Sequence, residues 1–331
     1  MEETQNDNPL EFNSRLDLGR LQQAVEKIKK ELGKVIVGQH DMLEMLIVSI
    51  LSDGHTLIEG VPGVAKTMTA KLLAKTLDVE FSRIQFTPDL MPSDILGTSV
   101  FNVKSSEFDF KKGPVFSNII LIDEINRSPA KTQAALFEVM EERQITIDGI
   151  KYDMPPPFLV FATQNPIEQE GTYALPEAQL DRFLFKINVP YPKLEEEINI
   201  LEQAHGRQDK DMMDVIEPVL SASEIAEYQQ TIKKIRVEPH LLKYIAAIID
   251  NTRNNSNLYL GASPRASLAI MNTSKALAAM NGRDFVTPDD IKRVAPSVLR
   301  HRMLLTPERE MEGITTDKVV QQIIETIEIP R

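Results

Sequence analysis

Gly60-Val61-Pro62-Gly63-Val64-Ala65-Lys66-Thr67 gathers two glycines, a lysine and a hydroxyl into one short segment. That combination suits phosphate. Glycines let backbone N–H groups approach the oxygens, the lysine adds a point charge, and the hydroxyl can hold magnesium. Further along, Ile119-Ile120-Leu121-Ile122 is an apolar run that ends in Asp123 and Glu124. Asp123 can hold magnesium and Glu124 can polarise a water. Each segment supplies what the other lacks, so together they point to hydrolysis of a nucleoside triphosphate. Where a phosphate loop usually has glycine before its lysine, this chain has Ala65, which requires a helical φ there.

Three further segments carry residues of the right type. Phe161-Ala162-Thr163-Gln164-Asn165 reads as a strand ending in an amide. Asn165 can position the water or sense the terminal phosphate, and it can equally well begin a turn before Pro166. Arg182, in Leu180-Asp181-Arg182-Phe183, can reach a phosphate on a neighbouring subunit. The residues alone favour a surface ion pair. Arg265, in Gly261-Ala262-Ser263-Pro264-Arg265, either contacts a nucleotide across a cleft or is a surface arginine at a helix start.

The elements that must position these groups follow from periodicity. Thr56-Leu57-Ile58-Glu59 predicts a short strand running into the glycine loop, with a helix over 67–77 after it. Strands are expected over 81–86, 119–122, 158–163 and 183–189, separated by helical patterns such as 129–143. Alternating strands and helices imply a parallel sheet covered on both faces, with all strand C-termini on one ligand-binding edge. Ahead of them, helices are expected over 16–32 and 42–51, with a short extended stretch at 35–39. Beyond Tyr191-Pro192 the strand signal stops. Helices are expected over 194–205, 223–234, 239–252, 264–280, 288–300 and 316–326. Thr287-Pro288-Asp289-Asp290 is a good helix start.

Composition narrows the rest. The chain has 331 residues, 42% apolar, enough for two domains with cores of their own. There is no cysteine, which excludes disulfides and thiolate metal sites, and the five histidines are scattered. No apolar run approaches the roughly 20 residues that span a bilayer. The polar, acidic first 13 residues do not read as a signal peptide but as a disordered lead-in. A cytoplasmic protein is the simplest reading. With 37 Lys and Arg against 49 Asp and Glu, the net charge is −12, which argues against broad nucleic-acid binding.

Taken in order, these segments resemble the MoxR family of AAA+ ATPases. The matching strings are Val37-Gly38-Gln39, 59–67 (EGVPGVAKT), 122–127 (IDEINR), Lys131-Thr132-Gln133, 140–149 (MEERQITIDG), 163–166 (TQNP), 169–183 (QEGTYALPEAQLDRF) and 261–266 (GASPRA). The resemblance runs from about Leu16 to the C-terminus. It implies an α/β fold: a P-loop AAA+ αβα sandwich with sheet order 5-1-4-3-2, then an all-helical lid. The implied layout is a lead over 1–15, a nucleotide-binding core over 16–191 and a lid over 192–331. Insertions are expected near 95–112 and 144–155. Alternation around Asp148-Gly149 independently predicts a hairpin in the second, and Phe101 and Phe108 flank an exposed loop in the first.

The resemblance also assigns roles. Gly60, Val61, Pro62, Gly63, Val64, Ala65, Lys66, Thr67 and Met68 would bind ATP, with Val37 and Gly38 near the adenine. Thr67 and Asp123 would hold Mg2+. Glu124 would be the catalytic carboxylate, Asn165 the first sensor, Arg182 the arginine finger and Arg265 the second sensor. The implied assembly is a homo-oligomeric, hexameric ring. Hydrolysis would swing the lid and move the insertions to remodel a client protein, together with a partner carrying a von Willebrand factor A domain. Assistance to complex maturation or metal and cofactor insertion belongs to the same implication. The rival readings are a nucleic-acid-translocating motor, which the net charge disfavours, and a nucleotide-gated scaffold without turnover, which the presence of Glu124 and Arg182 disfavours.

Overall fold

A computed structural model describes residues 16–166, 172–206 and 212–328. The proposed lead over 1–15, part of the 169–183 string and the last three residues of the lid lie outside them. The strands are β1 (Thr56–Gly60), β2 (Phe81–Gln85), β3 (Gly97–Asn102), β4 (Glu107–Lys112), β5 (Ile119–Asp123), β6 (Gln144–Ile147), β7 (Ile150–Asp153), β8 (Leu159–Gln164), β9 (Phe185–Val189), β10 (Leu258–Leu260) and β11 (Leu304–Leu305). Five of them make one parallel sheet in the order β2-β5-β8-β1-β9. Counted in chain order from the other edge, that is fifth, first, fourth, third, second, the order the resemblance implies.

Strand alternation explains how the sheet is covered. On β5, Ile119 and Leu121 face one layer while Ile120 and Ile122 face the other, and all four are fully buried. Each such side chain contributes roughly 1.5–3 kcal/mol through removal from water. One layer holds Leu136, Phe137 and Met140 of the helix Ala130–Glu142, packed with Phe183. The other holds the helices Gly19–Gly33, His40–Leu51 and Lys66–Thr76, and it continues without a break into the C-terminal helices. Helix Pro288–Leu299 packs directly on β9 and on helix Pro264–Met280. This bears on the expected swinging lid. One core joins Leu18 to Ile324, and rotating the whole helical region would open it at about 25 cal/mol per Å2 of apolar surface.

Two differences from the sequence reading concern short extended pieces. Residues 35–39 form no strand. The helical region does contain one, since β10 and β11 pair antiparallel. Two- and three-residue strands are too short to leave a periodic signal.

The hairpins project from the sheet's domain. β6 and β7 close through Asp148 and Gly149, both at positive φ (52° and 78°), as a type I′ turn needs. β3 and β4 pair in the first insertion, and Phe101 packs edge-to-face on Phe108 with the rings 5.2 Å apart near an exposed tip. Ser99 donates to Asp148, and Phe110 stacks on Tyr152, so the two hairpins brace each other.

His55 locks β8 to the end of helix Ala130–Glu142. Its Nδ1 accepts from the Val160 N–H at 3.0 Å, and its Nε2 donates to the Met140 carbonyl at 3.1 Å. Burial, helped by the nearby Arg143 cation, pushes its pKa down to about 4 from 6.5. The folded protein therefore refuses a proton that the unfolded chain accepts, so stability falls as pH drops from 6.5 towards 4. From pH 7 to pH 5 the loss from His55 alone should be about 2 kcal/mol. Buried His301 is shifted the same way, chiefly by burial, and adds to it. Guanidinium titrations at the two pH values check this. An unchanged midpoint would mean that the folded rings take up protons as readily as those of the unfolded chain.

Candidate active site

The parallel register brings the C-terminal ends of β1, β5, β2 and β8 to one edge. Gln85 lies beside Asp123, and Glu59 beside Gln164. The loop after β1 and the start of helix Lys66–Thr76 complete a cavity of about 670 Å3 there. Pro62, Gly63, Ala65, Lys66, Thr67, Met68, Asp123, Glu124 and Asn165 all line it. At Gly63, φ is 86° and a Cβ would project into open space, so conformation requires glycine and the cavity keeps its room.

Ala65 departs from expectation. Its φ of 61° and ψ of 19° are left-handed, and the helix begins one residue later, at Lys66. The chain turns between Gly63 and Lys66, so Ala65 belongs to that turn and not to the first helical residues. For alanine this conformation costs about 1–2 kcal/mol. Glu124 is left-handed too, with φ 57° and ψ 55°, just beyond the end of β5. Such strain is held by surrounding structure and concentrates at functional sites.

The carboxylates are held by specific partners. Asp123 is buried at 6% exposure. Thr67 Oγ1 lies 3.3 and 3.4 Å from its two oxygens, Thr163 donates to it at 3.2 Å, and Arg83 Nε lies 2.5 Å away. Glu124 accepts from Gln85 at 2.8 Å and pairs with Arg127 at 3.2 Å, while its backbone N–H donates to Thr163 Oγ1 at 3.1 Å. The Lys66 ammonium donates to the Gly60 carbonyl. A hydroxyl and a carboxylate a few ångströms apart are an all-oxygen donor set that fits a hard divalent cation, the remaining ligands coming from phosphate and water. Among the described residues no group of three or more His, Asp or Glu is gathered for a metal.

Arg83, Gln85, Thr163 and Arg127 escaped the sequence reading. Arg83 and Gln85 stood two apart on a strand already recognised, and strand alternation puts them on one face. What remained hidden was that this strand lies beside β5.

A second, apolar cavity of about 260 Å3 adjoins the first across Gly63, Ala65 and Met68. Val37, Val64, Pro192 and Ile200 are among its walls. Gly38 does not line it. Its φ is 77°, and a Cβ there would meet the Glu196 carboxylate at 2.4 Å. Gly60 and Val61 line neither cavity. Helix Leu194–Gly206, which supplies Ile200, has no buried residue of its own.

Arg182 and Arg265 lie elsewhere. Arg182 Nη1 donates to the Phe137 carbonyl at 2.5 Å, beside a cavity of about 170 Å3 that Glu141 also lines. Arg265 Nη2 pairs with Glu141 at 2.6 Å. Both arginines therefore rest on helix Ala130–Glu142, and neither lines the cavity that holds Lys66.

A glycine loop between β1 and a helix, an Asp-Glu pair on the third core strand and the 5-1-4-3-2 order define an AAA+ nucleotide-binding protein. Residues 55–185 match the ATPase family associated with various cellular activities, and residues 250–323 match the AAA lid domain. The chain is 44% identical over 307 residues to the uncharacterized protein YeaC of Bacillus subtilis, covering 92% of this chain and 94% of that one. It is also 44% identical over 320 residues to the chaperone MoxR1 of Mycobacterium tuberculosis, covering 93% and 82%. A solved structure from Cytophaga hutchinsonii, described as a candidate ATPase, superposes with a TM-score of 0.88 at 43% identity, covering 95% of this chain and 97% of that one. The chain belongs to the MoxR family of AAA+ ATPases.

Proposed function

We propose that the chain hydrolyses ATP as a subunit of a ring, hexameric by family resemblance, and uses the energy to remodel protein partners. The carrying observation is the separation just described: one face bears the phosphate cavity, and Arg182 and Arg265 stand together away from it. In this reading Arg182 and Arg265 serve the nucleotide of the next subunit, so no isolated chain has a complete site. The adenine occupies the apolar cavity between Val37, Val64 and Ile200. The Lys66 ammonium exchanges the Gly60 carbonyl for β- and γ-phosphate oxygens. Thr67 and Asp123 hold magnesium, which when bound neutralises charge on those oxygens. Glu124 polarises the attacking water, and Asn165 orients it.

The proposed core ends near Tyr191-Pro192, with the lid after it. Movement on turnover is assigned to helix Leu194–Gly206, which has no buried residue to release, and to the two braced hairpins. Among the described residues no helix is long and apolar enough to cross a membrane, and a cytoplasmic site of action, where ATP is available, is the reading adopted. The named relative is a chaperone, which supports a client protein. A partner with a von Willebrand factor A domain and a role in complex maturation or metal insertion follow from family resemblance.

Glu124→Gln tests the chemistry. It keeps the shape but loses the charge that polarises water, so turnover should fall about 10²-fold or more, with ATP binding retained. The variant should then trap its protein partner from a host lysate in the presence of ATP. Loss of nucleotide binding instead, measured by equilibrium titration, would assign Glu124 to structure.

A further inference from the structure

Asp181 stands immediately before Arg182, between the short helix Glu177–Leu180 and β9, and its carboxylate is gripped from two distant segments. Arg302 Nε donates to its Oδ1 at 2.7 Å, and Ser263 Oγ donates to its Oδ2 at 3.2 Å. Ser263 directly precedes helix Pro264–Met280 and lies two residues before Arg265. Arg302 follows helix Pro288–Leu299, and its side chain is only 4% exposed. Besides a bond from Nη1 to the Val298 carbonyl of the helix before it, its guanidinium grips the backbone of residues 181–184. Nη2 donates to the carbonyls of Asp181 at 3.2 Å and Phe183 at 2.6 Å, and Nη1 donates to Leu184 at 3.1 Å. His301 Nε2 adds a second donor to the Phe183 carbonyl at 3.0 Å. Phe183 in turn packs edge-to-face on Phe137, whose carbonyl accepts from Arg182.

A planar fork with five donors can satisfy one carboxylate and several carbonyls at once, which an ammonium cannot. The consequence is geometric. The residue before Arg182 and the residue two before Arg265 are tied to one carboxylate, and that carboxylate is set by Arg302. We propose that Arg302, through Asp181 and Ser263, is a positioning residue that holds Arg182 and Arg265 in fixed register, so that both meet the nucleotide of a second copy of this chain together. The proposal rests on the shared-site reading above. Arg302 itself touches neither the Lys66 cavity nor any reacting atom of its own subunit.

The test sorts donors of arginines from acceptors of nucleotide. Full-length Arg302→Gln should lose turnover by about 10²-fold, the scale expected when reacting groups are misplaced by about 1 Å. Its ATP affinity should stay within about twofold of wild type. Mixed with Lys66→Ala subunits, which still present both arginines, it should regain activity. Mixed with Arg182→Ala subunits, it should not, because neither then presents a proper pair. A merely structural defect would not distinguish the two mixtures. Arg302→Lys should rescue only partly. Should Arg302→Gln not fold, Ser263→Ala decides. It removes one hydrogen bond, and turnover should fall about fivefold with the same sorting. Wild-type turnover in the folded variants overturns the proposal. So does equal rescue, or none, by both partners while Lys66→Ala and Arg182→Ala complement each other. If that control pair fails to complement, the shared-site reading falls, and this one with it.

Discussion

Arg182→Ala should lower turnover roughly 10³-fold or more, the scale of a lost arginine finger, and leave the chain's own ATP affinity intact. The Arg182 side chain packs against helix Ala130–Glu142, donating to the Phe137 carbonyl, and does not line the cavity that holds Lys66. Removing it leaves Lys66, Thr67 and Asp123 in place, and on the proposed shared-site reading it would strip the neighbour's transition state of a cation. Two measurements follow. Wild-type activity per subunit should rise with protein concentration as rings form. An equimolar mixture of Arg182→Ala and Lys66→Ala chains should regain turnover, because one kind of interface in the mixed ring is whole. Wild-type activity that stays flat far into the monomeric range would sink the shared-site mechanism and favour a self-contained ATPase.

Lys66→Ala should weaken ATP binding by about 10²- to 10³-fold, the range for truncating one partner of a desolvated charge pair. Lys66 is the ammonium on the glycine loop, and in the protein as it stands it is parked on the Gly60 carbonyl. No apolar core residue depends on it, so the melting temperature without nucleotide should hardly move. Stabilisation by added ATP, which scales with ligand concentration over Kd, should vanish at concentrations that stabilise wild type. A thermal shift with ATP equal to wild type would remove the loop from the binding site.

Much of this arrangement could be read ahead of the structure, because its signals are local. The glycine loop sits between a strand and a helix in the sequence itself, and the buried run 119–122 announces its own carboxylate end. The Asp148-Gly149 turn is equally self-contained. What stayed hidden depends on distant neighbours or on conformation. Arg83 and Gln85 become site residues only because β2 pairs with β5. Ala65 has a side chain that permits a helical φ, and only the turn after Gly63 drives it left-handed. Asp181 and Arg302 lie 121 positions apart, and no periodicity links them. The packing of Arg182 and Arg265 against one helix, Ala130–Glu142, is likewise a property of tertiary structure.

The unbroken core that joins Leu18 to Ile324 has a mechanical consequence. A close-packed interior transmits displacement and does not absorb it. In a closed ring of such subunits, the arginine face and the phosphate face of each chain are two ends of one stiff block. On the proposed shared-site reading the compliant joints would be the clefts between blocks, where the nucleotides would lie. In such a proposed ring, tightening one cleft around its nucleotide would tilt the whole block and pry at the next cleft along. Neighbouring sites would compete for closure without any signal passing through the protein other than its shape.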